Sequence, residues 1–487
     1  MGLLKKLVGQ TAIYGLSSIV GRLLNFLLVP LYTGIFAPEE YGVFSELMAV
    51  IAFAMVVLTY GFETAFFHYT NKEENSEKVL STGFISLLFT SLLFLILGTF
   101  YSQSIASLLH VTEYPNFINW LIWILVLDVL TTLPFAKLRV DHRAWRFAFI
   151  RLTNISVNIG LNLFFYLLCP YLIKQGIGLN FVENIYDPAM GIGYIFISNL
   201  IASAIMLVLL TPEIFKLKIS FDFAVWKKMC NYGFPLLIGG LAYVTNEMAD
   251  RLLLEHLLPE DIATAQVGIY SACYKIAIFM TLFIQAFRYG AEPFFFAQAK
   301  KADAKEQYAI VMRYFIAFTA FIFLSINVFI DIIKHFIQDE AYHAGLDVVP
   351  ILLLANLFLG IYYNLSVWYK VSEKTRFGAY LSVAGALITI VLNLLLIPVM
   401  SYMGSAWATL ICYTSMCVLS YLFSRRHYPI SYEWKYISFY MIAALFLFYL
   451  WSLWHDNYFI MSSLFCLIYI FSVIALEKRK KISIFKH

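Results

Sequence analysis

Pro38-Glu39-Glu40-Tyr41-Gly42-Val43-Phe44-Ser45 separates one apolar stretch from the next, and its plan returns later as Pro259-Glu260-Asp261 followed by Val267-Gly268-Ile269-Tyr270-Ser271. Working outward, Tyr14-Gly15 opens the apolar stretch before the first copy, and Tyr232-Gly233 opens the one before the second. Further along, Arg146-Phe147, Leu161-Asn162-Leu163, Pro170 and Met190-Gly191 are echoed in order by Arg376-Phe377, Leu392-Asn393-Leu394, Pro398 and Met403-Gly404. Insertions change the spacing, but the order is kept. Internal repeats of this kind underlie many transporters.

The medium in which the repeats fold is set by composition. Of 487 residues, 61% are hydrophobic and 13% charged, where a soluble chain carries about 25% charged residues. Aromatics reach 18%, and Tyr and Trp favour the water-facing rims of membrane spans. A span needs about 20 mostly apolar residues to cross roughly 30 Å of hydrocarbon. The sequence therefore predicts an all-α polytopic membrane protein of about fourteen transmembrane helices, at 9–36, 41–66, 78–99, 116–137, 145–169, 189–210, 229–256, 266–290, 308–333, 345–369, 377–398, 403–424, 436–454 and 457–476. The first is read as an uncleaved helix, because no small-residue cleavage site follows the basic start.

Twenty-six of the 34 Lys and Arg then fall on the side of the termini, against Lys174 and Lys334 alone on the other side. Positive loops stay cytoplasmic, so both termini are expected in the cytoplasm. Each repeat holds six helices, an even number, which makes the repeats parallel and related by a pseudo-twofold axis along the membrane normal. The expected divisions are an N-terminal six-helix bundle over 1–215, a C-terminal one over 216–428, and two additional helices with a basic tail over 429–487. Two such bundles are expected to leave a cleft that opens to either side by rocking.

Several function classes lose support. The net charge of +4 is modest and its basic residues are scattered, which leaves nucleic-acid binding without an electrostatic footprint. The six cysteines all lie in or at the ends of apolar segments, with no zinc-type spacing, and read as small core residues. No metal site, cofactor or catalytic constellation stands out. The longest outward loop, 170–187, has only Lys174, Glu183 and Asp187 as charges, a poor active site for a polymerase.

Ionisable residues within spans carry the functional reading, since each costs at least ~2.5–3.5 kcal/mol to insert. Arg22, mid-span in the first helix, reads as an anion ligand, with pairing to a carboxylate such as Asp128 as the alternative. Asp128, followed by Thr131 and Thr132, reads equally as a coupling group or as a structural partner. Arg251, with Asp250 and Glu247 on its helix, suits a local ion pair as well as a ligand. Lys275, near Tyr270 and Tyr274, can line a cleft. Arg288 and Glu292 pair at i,i+4, while Arg151 and Arg313 read as anchors at the interface. Glu63 and Glu46, near opposite ends of the second span, can carry a coupling proton or simply be solvated. Arg22, Arg251 and Lys275 lie in the opening helix pairs of the two halves, which points to an anionic substrate, and arginine suits phosphate through bidentate bonds.

These residues also carry a resemblance. Gly21-Arg22-Leu23-Leu24-Asn25-Phe26, Pro30-Leu31-Tyr32 and Glu40-Tyr41-Gly42 resemble the opening of bacterial polysaccharide-repeat flippases. Asn246 to Arg251, Gly268-Ile269-Tyr270-Ser271, Tyr274-Lys275, Phe287-Arg288 and Glu292-Pro293-Phe294 are similar to the central helices of O-antigen and capsule flippases. That family belongs to the superfamily of multidrug, oligosaccharidyl-lipid and polysaccharide exporters, which also holds lipid II flippases. The resemblance implies a MATE-like fold and a flippase, not an enzyme, in the bacterial inner membrane. The implied substrate is an undecaprenyl-pyrophosphate-linked oligosaccharide used for lipopolysaccharide or capsule, held by Arg22, Asn25, Arg251 and Lys275. Lipid II flippases hold pyrophosphate with first-span arginines; here no further Arg or Asp follows Arg22 in that span, which favours a generic lipid-linked oligosaccharide over lipid II. It further implies membrane lipids, a polysaccharide polymerase and glycosyltransferases as partners and no nucleic acid; H⁺ or Na⁺ coupling stays open as an alternative to the membrane potential, with Asp128, Glu63 and Asp250 as coupling groups or structural pairs. The competing readings are a drug exporter of the same fold and, behind it, a polymerase.

Overall fold

The computed structural model describes residues 15, 19–70, 76–112, 114–299, 301–453 and 459–484, and among these every regular element is helical. Twelve helices are long and apolar enough to cross a membrane. In chain order with two others they are α1 (Ile19–Thr33), α2 (Pro38–Thr70), α3 (Ser76–Phe100), α4 (Asn116–Val140), α5 (Ala144–Gln175), α6 (Gly193–Phe215), α7 (Phe223–Leu257), α8 (Glu260–Gln298), α9 (Ala304–Val328), α10 (Val348–Val371), α11 (Arg376–Met400), α12 (Tyr402–His427), α13 (Trp434–Leu453) and α14 (Phe459–Arg479).

The two that do not qualify, α1 and α7, open the two sequence repeats. Within the described residues α1 is apolar but short. In contrast, α7 has 35 residues, ample for a crossing at 1.5 Å per residue, but carries Asn231, Asn246, Glu247, Asp250, Arg251 and Glu255. Apolarity and length thus support twelve of the fourteen expected spans. The expected beginning of the first span with Tyr14, the basic residues Lys5, Lys6, Lys72, Lys300 and Lys486, the turn at 454–457, and both termini lie outside the described residues.

Local chemistry explains where the helices begin and break. Pro38 occupies the first turn of α2 with Glu39 and Glu40, and the Glu40 carboxylate accepts from the Ala37 backbone N–H at 3.2 Å. Pro259 precedes Glu260 and Asp261 in the first turn of α8. Proline has a preset φ for a helix start and acidic groups favour the positive helix N-terminus, so the repeated Pro-Glu-acid motif is a repeated helix start. A break interrupts α2 at Tyr60 (φ 34°) and Gly61 (φ 75°). In α5, a π-helical turn at Phe164–Leu168 precedes Pro170, which lacks an N–H and crowds the preceding turn.

The chain divides into two units, residues 1–255 and 256–487. In the first, α6 packs against both α4 and α5, and α3 against α4. In the second, α12 packs against both α10 and α11. Helices four, five and six thus have the same neighbours as ten, eleven and twelve, which is the repeat expressed as packing. The added pair, α13 and α14, packs on α9. All six cysteines are free thiols, five of them buried, as their apolar surroundings in the sequence imply.

Candidate functional site

In the first unit, the structure gathers several ionisable residues on α1, α2 and α7. Arg22 and Asn25, three residues apart and so on one face of α1, are both exposed, while Phe26, Val29 and Tyr32 are buried. The Arg22 charge acts on Glu247 of α7. Four residues beyond Glu247, Arg251 is 5% exposed; its Nη1 donates to Asp250 Oδ1 at 2.7 Å and to the Glu247 carbonyl at 2.9 Å, and its backbone N–H also bonds Asp250 Oδ1. Buried charges persist when paired and hydrogen-bonded. Arg251 and Asp250 meet that condition within one turn of their own helix. Arg251 also acts on the buried Tyr41 of α2.

Asp128 lies on α4, hydrogen-bonded by Ser203 of α6 and under the influence of Arg151 of α5. The Thr131 and Thr132 hydroxyls bond its backbone carbonyl, at 2.8 and 3.3 Å. Glu63 forms an ion pair with Arg139 of α4. Glu46, for which solvation was one expectation, is instead 1% exposed, because it faces inward from α2.

Lys275 lies in the second unit, half-buried on α8 beside the buried Tyr270 and Tyr274, whose rings meet edge-on at 5.9 Å. Further along α8, Arg288 Nη2 and Glu292 Oε1 lie 3.4 Å apart, the expected i,i+4 pair. Lys370 of α10, which the sequence did not connect, bonds the same oxygen at 2.8 Å, and the Arg288 guanidinium lies 4.0 Å from the Tyr363 ring centre. Arg313 corrects an expectation. Rather than reaching the interface, it is 4% exposed and paired with Glu433 and, at 3.3 Å, with Glu477. Tyr440 and Tyr314 also donate to Glu477. The arginine is buried because α13, α14 and the residues before them cover α9.

Glu213, Glu255 and Ser203 also escaped the sequence reading. Glu213, buried at the end of α6, accepts from Arg143 Nη1 and Arg146 Nη2, both at 2.9 Å. The i,i+4 spacing of Arg251 and Glu255 was a visible signal for Glu255, whereas nothing local marks Glu213 or Ser203. Between α6 and α7, Asp222 Oδ1 accepts from the N–H groups of Ala224 and Val225 at 2.8 and 3.0 Å, capping α7. The Lys78 ammonium, 2.5 Å from its other oxygen, holds the Asp222 carboxyl below the usual carboxylate range.

Repeated helical packing and twelve membrane-length apolar helices define a multi-pass membrane protein. The model of the polysaccharide biosynthesis protein family matches residues 7–296, and that of the MatE family residues 235–395. None of the curated proteins matches. The fold is similar to a lipid II flippase, MurJ, in an inward closed conformation, with a TM-score of 0.75 at 15% identity, covering 96% of this chain and 99% of that one. It is also similar to a multidrug resistance MATE family transporter in an inward-facing conformation, at TM-score 0.66, 12% identity, and coverage of 83% and 94%. An outward-facing structure from the same transporter family gives 0.55, 14%, and 86% and 94%. The chain belongs to the polysaccharide biosynthesis protein family.

Proposed function

We propose that this protein flips an undecaprenyl-pyrophosphate-linked oligosaccharide from the cytoplasmic to the outer face of a bacterial inner membrane, by alternating access, with both termini in the cytoplasm. The observation that carries the reading is the exposure of Arg22 and Asn25 on one face of α1. An arginine facing hydrocarbon would be costly, so a face that displays Arg22 suits water and an anionic ligand. Guanidinium binds phosphate through two parallel charge-assisted bonds, and Asn25 offers both a donor and an acceptor to a sugar. Arg251 shapes the site while held by Asp250, and Lys275, in the second unit, is assigned as a further phosphate ligand. The match to the polysaccharide biosynthesis family over residues 7–296 supports a polysaccharide precursor as the cargo. The polyprenyl tail stays in lipid, and the pyrophosphate charge moving through the membrane potential contributes about 2.3 kcal/mol per charge per 100 mV.

The test is the sidedness of lipid-linked oligosaccharide in vesicles from cells with and without the gene, probed with a lectin or impermeant glycosidase. Accumulation on the cytoplasmic face only in the gene's absence supports flipping. Unchanged sidedness, with altered drug sensitivity, moves the reading to a drug exporter of the same fold.

A further inference from the structure

Between the end of α6 at Phe215 and the start of α7 at Phe223, residues 216–222 form no helix, and polar and apolar residues alternate along them. Lys216, Lys218, Ser220 and Asp222 take the even positions, and Leu217, Ile219 and Phe221 the odd ones. The segment is fastened to the start of α3. The Ser220 N–H donates to Ser81 Oγ at 2.9 Å and the Asp222 N–H to Thr82 Oγ1 at 3.2 Å, while Lys78 pairs with the Asp222 carboxylate. Leu217 packs against the core around Val79 and Leu133. Ile219 nevertheless stands 89% exposed, and Phe215, Phe221 and Phe223 are exposed beside it.

Position and charge say what this face meets. Arg143 and Arg146, at the start of α5, hold Glu213, two residues before the end of α6, so the ends of three membrane-length helices, α3, α5 and α6, lie at one level. Trp145, between those arginines, is 78% exposed, and tryptophan favours the rim of the bilayer. The two acids here are already engaged, Glu213 by the arginines and Asp222 by Lys78. Lys216, Lys218 and Lys227 are exposed and have no acidic partner among the described residues. A surplus of positive charge interleaved with bare Ile and Phe, at the level where helices leave hydrocarbon, matches a surface of anionic headgroups over acyl chains.

We propose that the segment joining α6 to α7 is a binding surface for anionic phospholipid: Lys216 and Lys218 hold the headgroups while Ile219, Phe221 and Phe223 enter the boundary of the acyl chains. The bonds to Ser81 and Thr82 occupy the backbone and fix the segment in place, which leaves its side chains to the lipid. The sidedness proposed above makes this leaflet the cytoplasmic one. The inference rests on the membrane fold and is independent of the cargo, so its failure leaves the flippase reading standing.

A spin label on Ile219→Cys, in the purified full chain in lipid nanodiscs, reads whether the segment meets acyl chains or water, through its accessibility to molecular oxygen against a water-soluble nickel complex. The native chain treated identically gives the background from its own thiols, five of which are buried. In phosphatidylglycerol the label is expected to be open to oxygen and shielded from nickel, and in phosphatidylcholine with the same acyl chains to become open to nickel. Lys216→Gln with Lys218→Gln should abolish the lipid preference, as should salt of about 1 M, where charges are screened within roughly 3 Å. Lys216→Arg with Lys218→Arg should keep it. A label on Phe223→Cys repeats the measurement at a second position, and unfolding temperatures close to the wild-type value show that these exposed substitutions leave the fold intact. Nickel access in both lipids overturns the proposal and assigns the face to a soluble protein partner. Equal shielding in both lipids overturns the role of the lysines.

Discussion

Gly61 and Gly233 meet backbone to backbone with no room for a side chain on either. A Cβ on Gly233 would sit 2.6 Å from the Tyr60 carbonyl oxygen, and one on Gly61 would sit 2.8 Å from the Gly233 carbonyl oxygen. Gly61 also has φ 75°, a left-handed conformation that glycine alone adopts at little cost. The break in α2 and the approach of α7 are therefore one feature. Gly233→Ala is expected to lower stability by about 1–3 kcal/mol through overpacking, seen as a lower unfolding temperature in detergent. Gly239→Ala on the same helix, where a Cβ meets nothing within 4 Å, should be neutral or stabilising by up to about 1 kcal/mol. Equal effects would contradict the contact.

Asn162 and Asn393 predict matched behaviour in the two halves. Each is fully buried, and each donates to the carbonyl four residues earlier at 2.8 Å. Each also accepts one hydroxyl, from Tyr32 at 2.9 Å in the first unit and from Ser405 at 2.7 Å in the second. Tyr32→Phe and Ser405→Ala should each destabilise by about 1–3 kcal/mol, since a buried acceptor loses its donor. Thermal unfolding of the single variants and of the pair checks this, with additivity expected for separate sites.

Arg313 predicts how the added helices are fastened. Its guanidinium joins Glu433, just before α13, to Glu477 on α14. Arg313→Leu leaves two acids without their cation and is expected to destabilise by about 3–5 kcal/mol. Limited proteolysis between α12 and α13 should accelerate. Adding Glu433→Gln and Glu477→Gln should recover part of the loss, which simple cavity formation would not allow.

Which features the sequence discloses follows from their range. The Asn162 and Asn393 triplets and the two Pro-Glu-acid motifs are local, so repeat and helix starts were legible. The basic loops predicted a sidedness whose terminal residues lie outside the described chain. Partners distant in sequence were not legible: Arg313 with Glu477 and Lys370 with Glu292 each depend on helices coming together. Their polar atoms also look alike whether they face water, lipid or one another. Counting spans by apolarity worked for twelve helices and weakened at α7, whose polar residues are the ones that build the candidate site.

Arg22 and Arg251 should separate function from stability. Arg22 is exposed, so Arg22→Gln is expected to abolish export, leaving oligosaccharide on the cytoplasmic face, with little change in unfolding temperature. Arg251 is buried against Asp250, and Arg251→Gln should destabilise by about 3–5 kcal/mol. Normal surface polysaccharide in the Arg22 variant would remove it from substrate binding.

Asp222 gives the pH dependence. Lys78 and two backbone N–H groups favour its charged form, so its folded value lies below its unfolded one and the group stabilises the fold at neutral pH. The sign follows from linkage: the contribution is fully present above the unfolded value, roughly pH 4, and is lost as pH falls through the lower folded value. Asp222→Ala, which removes both the cap and the ion pair, should be less stable than the wild type by a constant margin between pH 8 and about pH 5. That margin should shrink in more acidic solution, because protonation then removes the same interactions from the wild type. Unfolding temperatures of the two proteins across this range decide it, and a margin that widens in acid would reverse the sign and refute the pairing with Lys78.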